Sequence, residues 1–172
     1  MNTAYRGGFS AGRAVRVFSM LALVLVVLAS RQVLAGENTL IPEAKVTSEA
    51  VLEALKNAGV SASLDADGDV EVTVRGLDFW MQGDVDKGRI YMFYFRSTKD
   101  DATMEQRQAL AHAINDGLVL VRATITPKGR LWLDYAFPTE AGITGAQIVN
   151  LVKRFGTIIN MVDDVDEGNL LQ

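Results

Sequence analysis

The chain has 172 residues, with 17 Lys and Arg, 21 Asp and Glu, one His and no Cys. With 49% hydrophobic residues and three prolines it has the composition of a globular protein that buries one real core. The absence of Cys excludes disulfides, thiolate zinc sites and a thiol nucleophile, and a single His excludes a multi-histidine metal site.

Residues 1–35 hold four basic residues (Arg6, Arg13, Arg16, Arg31) and no acidic one, which leaves residues 36–172 with a net charge of −8. A body that acidic repels phosphates, so nucleic acid is not an expected partner. The uncharged run Val17–Ala29 is 13 residues long, the length of a secretory h-region and short of the ~20 that span a bilayer as a helix. Val33 and Ala35 stand at the −3 and −1 positions of a cleavage site before Gly36. Residues 1–35 therefore read as a signal peptide cleaved between Ala35 and Gly36, which delivers a periplasmic or secreted protein. The alternative is an uncleaved signal anchor, the only route by which a membrane contact is expected.

After a polar linker at 36–45, Thr47 reads as a helix N-cap with Val46 and Val51 as a hydrophobic staple, and Gly59 ends that helix. Val60–Leu64 is a strand leading into the turn Asp65-Ala66-Asp67-Gly68-Asp69. Val70, Val72 and Val74 alternate with polar residues, and Leu77, Phe79 and Met81 continue the alternation past Gly76, read as a bulge. Asp84–Gly88 is a turn. Ile90-Tyr91-Met92-Phe93-Tyr94-Phe95 is apolar at every position, so both of its faces require apolar neighbours. Thr103 and Gln106 form a capping box for a second helix, ended by Asn115-Asp116-Gly117. Leu118–Thr126 and Arg130–Phe137 form a hairpin around Pro127-Lys128-Gly129. Thr144, with Gln147 three residues on, caps a last helix, and Asp163–Glu167 reads as part of a frayed acidic tail over 163–172.

The predicted order is αβββαββα over residues 46–162: an α+β domain with a five-stranded antiparallel sheet and helices on one side. The run Val46–Gly59, the turn Asp65–Asp69 followed by Val70–Val74, Asn115, the Leu118–Thr126/Leu131–Phe137 hairpin, and Gly142-Ile143-Thr144 before the last helix together resemble the YbjN family. That resemblance implies a fold like that of type III secretion chaperones. The family is grouped with bacterial sensory-transduction regulators and has no established enzymatic activity; homodimerisation fits the resemblance.

Candidate chemistry is sparse. Asp65-x-Asp67-x-Asp69 opens like an EF-hand loop, but Val70 and Gly76 occupy the positions of its Gly and closing Glu, so a solvated turn is expected and no calcium. His112 points away from the apolar face of its helix. No Gly-x-Ser-x-Gly context and no phosphate-binding loop occurs, so no catalytic residue, metal or cofactor is expected. The aromatic set Phe79, Trp80, Tyr91, Phe93, Tyr94, Phe95, Trp132, Tyr135 and Phe137 carries the functional content. Alternation lets either Tyr91, Phe93 and Phe95 or Ile90, Met92 and Tyr94 lie under the helices. The other set then faces a partner. Tyr91, Phe93, Phe95, Trp80 and Trp132 are the candidate partner-binding residues, for a second protein or a second copy. The expected function is an exported, non-enzymatic, chaperone-like binding module with a sensory or regulatory role. The alternative is a periplasmic carrier of a small apolar ligand.

Overall fold

A computed structural model describes residues 38–172. The expected signal peptide, its expected cleavage point and the first two residues of the expected polar linker lie outside the described residues. Among the residues described, no helix is long and apolar enough to cross a membrane.

Local chemistry sets the three helices. In α1 (Ser48–Asn57) the Thr47 side chain accepts from the Ala50 amide at 3.3 Å, and Val46, Val51 and Leu55 turn inward to full burial. Gly59, at φ +73°, then takes the left-handed conformation that releases the chain into the strand Ser61–Leu64. Both α2 (Met104–Gly117) and α3 (Gly145–Val165) start with complete capping boxes, Thr103 with Gln106 and Thr144 with Gln147. Each box satisfies amides that a helix start leaves open and is worth about 1 kcal/mol.

Six strands form one antiparallel sheet: β2 (Ser61–Leu64), β3 (Val70–Val74), β4 (Leu77–Asp84), β5 (Arg89–Arg96), β6 (Arg122–Ile125) and β7 (Leu131–Pro138), in spatial order β2-β3-β4-β5-β7-β6. A separate two-residue pair joins β1 (Leu40–Ile41) to β8 (Ile143–Thr144). All three helices pack on one face of the large sheet. Beneath them Val70, Val72, Phe79, Met81, Ile90, Met92, Leu131 and Leu133 are fully buried, and Phe79 meets Phe155 of α3 edge-on at 5.2 Å.

The expected α+β class with an antiparallel sheet and helices on one side is what forms, but the sheet has six main strands, not five. Residues 70–81 are two strands. Arg75 and Gly76 both adopt positive φ (53° and 81°) and make a two-residue hairpin turn, so Val74 lies opposite Leu77. A two-residue turn and a bulge shift the inward positions from even to odd numbers alike, which is why Gly76 read as a bulge. The next hairpin also starts later than expected. Leu118 closes α2, Leu120 takes φ +79°, and pairing begins only at Arg122.

The chain end is not frayed. α3 continues to Val165, Asp163 pairs with Arg96, and the Asp166 carboxylate accepts from the amides of Leu170 and Leu171 at 2.9 and 2.8 Å. Leu171 is buried and bridges to Thr98. Asp163 and Asp166 serve as acceptors that fold this segment back, which a reading of charge alone misses.

Candidate functional site: the open aromatic face

Strand alternation divides β5 between the two faces. Ile90, Met92 and Tyr94 point under the helices; Tyr91, Phe93 and Phe95 point to the side that no helix covers. Register brings Trp80 of β4 directly opposite Phe93, and Trp132 of β7 directly opposite Phe95. The five candidate residues thus meet on one surface, each half-buried, chiefly by the others.

Their rings form a continuous plate. Phe93 stacks between Trp80 and Trp132, with centroids 5.9 and 5.8 Å away and interplanar angles of 11° and 29°. Phe95 meets Trp132 edge to face at 4.5 Å and Trp80 at 6.1 Å. Tyr91 extends the row at 5.7 Å from Phe93. These contacts are in the range where aromatic pairs add about 0.5–1.5 kcal/mol beyond area burial. The plate is therefore preorganised as well as apolar.

Charged groups edge the plate. The Arg89 and Arg130 guanidinium groups sit 4.9 Å over the Tyr91 and Phe95 rings. Asp134, directly opposite Phe93 on β7, is only 7% exposed and accepts from Nε and Nη2 of Arg122 at 3.1 and 2.8 Å. Partial burial, and then the nearby Asp134 charge, push the Tyr91 phenol above its ordinary value, while the hydrogen bond to Asp134 raises Arg122. On the other flank Glu71 stands opposite Trp80, and Asp78 binds Thr73 Oγ1 at 2.7 Å.

The sequence named the rings but not this frame. Arg122, Asp134 and Glu71 join the face only through pairing between distant strands. One signal was present: Asp134 shares parity with Trp132 between Leu131 and Leu133, which marks that parity as turned from the core.

The other candidates stand apart from the face. His112 is exposed on α2. Asp65 Oδ1 accepts from the amides of Asp67 and Asp69 at 3.0 and 2.9 Å, which makes the aspartate loop a self-bonded turn. Among the described residues no cluster of three or more His, Asp or Glu is placed to hold a metal ion. A 720 Å³ groove between α2 and the chain end has an apolar floor of Ala109, Leu110 and Ala113 under Asp116, Asp164 and Glu167.

The chain is similar to several solved structures. The crystal structure of YbjN from E. coli, described as "a putative transcription regulator", superposes with a TM-score of 0.59 at 18% identity, covering 72% of this chain and 94% of that one. The chaperone–effector complex HopA1–SchA gives 0.49 at 10% identity, over 69% and 92% of the two chains. The Yersinia pestis type III secretion chaperone SycH, bound to a fragment of YscM2, gives 0.45 at 12% identity, over 66% and 97%. No curated protein matches the chain. The sequence pattern of the family described as "Putative bacterial sensory transduction regulator" matches residues 47–167, from the cap of α1 to just past α3, and the chain belongs to this family, YbjN.

Proposed function

We propose that this protein is an exported, non-enzymatic, chaperone-like protein-binding module, and that the open aromatic face is its contact surface. The observation that carries the reading is the plate itself: Trp80, Tyr91, Phe93, Phe95 and Trp132 lie together on the side of the sheet opposite the helices. Each large ring withdrawn from water contributes about 1.5–3 kcal/mol when fully buried, so a plate that keeps a part of every ring in water favours association. Aromatic centres with arginines at their rim are also the composition of protein interfaces, where Tyr, Trp and Arg carry most of the binding energy. The family description supports a regulatory setting, and the leader at residues 1–35 supports export. The carrier reading has less support, because the groove by the chain end is open, acid-rimmed and free of aromatic lining.

Phe93→Lys at the centre of the plate tests this reading. A tagged wild type expressed beside the untagged chain is expected to co-purify from the cell envelope with a stoichiometric polypeptide that the tagged variant loses, with both proteins melting alike. Identical co-purification by wild type and variant overturns the reading. Cell fractionation reports export separately, and protein confined to the cytoplasm would remove that part.

A further inference from the structure

We propose that the cavity between the β3–β4 turn and the middle of α3 binds a small organic carboxylate, a single negative charge on a compact apolar body. The cavity lies on the helix side of the sheet, so it stands apart from the aromatic face and from whatever that face binds.

The cavity has a volume of about 210 Å³. Val74 and Leu77, paired across the turn, form its floor with the buried Gly156 of α3. The exposed residues Arg75, Lys153 and Asn160 stand around its mouth.

Gly156 carries the argument. It sits in the interior of a 21-residue helix, where only proline is a poorer helix former. Its φ is not positive, so the backbone does not require glycine there. Packing does not require it either. A Cβ at this position would meet nothing within 4 Å, whereas at Gly83 it would strike backbone at 2.4 Å. The missing side chain leaves open space against Val74 and Leu77.

The turn shows a second unforced choice. Arg75 holds φ +53°, a conformation in which Gly, Asn or Asp is usual. Neither Arg75 nor Lys153 has an ion-pair partner among the described residues, and no acidic residue lines the cavity. Residues 36–172 carry a net charge of −8, so most of this surface repels an anion that these two cations attract.

The donors select among anions. Mid-helix amides are bonded within α3, and the Thr157 hydroxyl donates to the Lys153 carbonyl at 2.9 Å. What remains is a guanidinium fork, an ammonium and the Asn160 amide, which suit the two coplanar oxygens of a carboxylate. A phosphate site uses free backbone amides, and the middle of a helix has none. The volume equals that of about seven waters at ~30 Å³ each, room for one ring or a short branched chain.

Calorimetric titration of the full chain tests the site, with benzoate as the probe. Benzoate should bind one to one with a dissociation constant below about 1 mM, and more weakly as salt rises. Benzamide has the shape without the charge, and inorganic phosphate the charge without the apolar body. Each should bind at least about ten-fold more weakly. Arg75→Asn keeps a residue suited to positive φ, and it and Lys153→Gln should each weaken benzoate about ten-fold. Lys128→Gln, in an exposed turn outside the cavity, should leave the affinity unchanged. Gly156→Ala separates binding from folding. It should raise the thermal midpoint as the better helix former, yet weaken benzoate about five-fold by narrowing the floor. Absence of saturable binding up to about 10 mM overturns the site. Benzamide as tight as benzoate overturns the anion, and phosphate as tight overturns the apolar body. Unchanged affinity in both Arg75→Asn and Gly156→Ala would place benzoate elsewhere and overturn the assignment.

Discussion

Asp134 is almost buried on the open face of the sheet, and the guanidinium of Arg122, itself two-thirds exposed, closes over it at 2.8 Å. The pair places a satisfied carboxylate beside the aromatic plate. Breaking a buried pair costs about 3–5 kcal/mol when both partners are enclosed, and an exposed arginine reduces this through solvent screening. Arg122→Ala should therefore destabilise by about 1–2 kcal/mol in urea unfolding. Adding Asp134→Asn should restore part of the loss, since the orphaned charge is then gone. Equal stability of wild type and Arg122→Ala would show that the pair contributes nothing.

Asn115 acts as a surrogate strand. Its side chain donates from Nδ2 to the Ala123 carbonyl at 2.9 Å and accepts the Ala123 amide at Oδ1 at 2.7 Å, which ties the end of α2 to edge strand β6. Asn115→Asp keeps the acceptor and removes the donor. A loss of about 1–2 kcal/mol is expected, with faster amide exchange at Ala123. Unchanged exchange there would contradict this role.

Gly83 sets how closely α1 approaches the sheet. A Cβ at this position would stand 2.4 Å from the Thr47 carbonyl carbon and 2.5 Å from the Val46 oxygen, both backbone atoms that cannot turn aside. Gly83 also donates to Ser48 Oγ at 3.2 Å. Gly83→Ala should cost about 3 kcal/mol or more by displacing the start of α1, measured as the shift in thermal midpoint. A near-normal melt would mean that α1 sits farther out.

Two aspartates give acid stability opposite slopes. Burial, reinforced by Asp65 and Asp67, raises Asp69 above its ordinary 3.8, so the native state holds that proton more tightly than the unfolded chain. Stability from this group falls as pH rises from 3.8 through the raised value, and stays lower at neutral pH. The Lys87 hydrogen bond, with help from Arg89, lowers Asp84, whose contribution is present above 3.8 and is lost as pH falls through its native value. Asp69→Asn should thus stabilise the protein at pH 7 by about 0.5 kcal/mol, with the gain vanishing once Asp69 is protonated. A gain that persists in acid would assign the effect to packing.

These residues also show which features a sequence can carry. The caps at Thr47, Thr103 and Thr144 were legible because a capping box is a local pattern whose hydrogen bonds span three residues. The β3–β4 hairpin was not, because its turn puts Arg75 at positive φ where Asn or Asp is the usual signal. The packed chain end was hidden for a different reason: Asp163 and Asp166 read as solvated charge until Arg96 and the Leu170 and Leu171 amides come within reach. In the same way the rings of the open face could be named from alternation, whereas which parity faced outward depended on where three helices settled.

The central claim is that the outward face of β5 touches another polypeptide while its flanks do not face the core. Photo-cross-linking in cells tests it most directly, with benzoylphenylalanine in place of Phe93 and, as a control on the exposed side of α3, in place of Asn150. The account predicts a discrete, high-yield adduct from position 93 at the mass of this chain joined to a second polypeptide, and none from position 150. No adduct at position 93, in a protein that folds normally, would contradict the assignment of this face to protein binding.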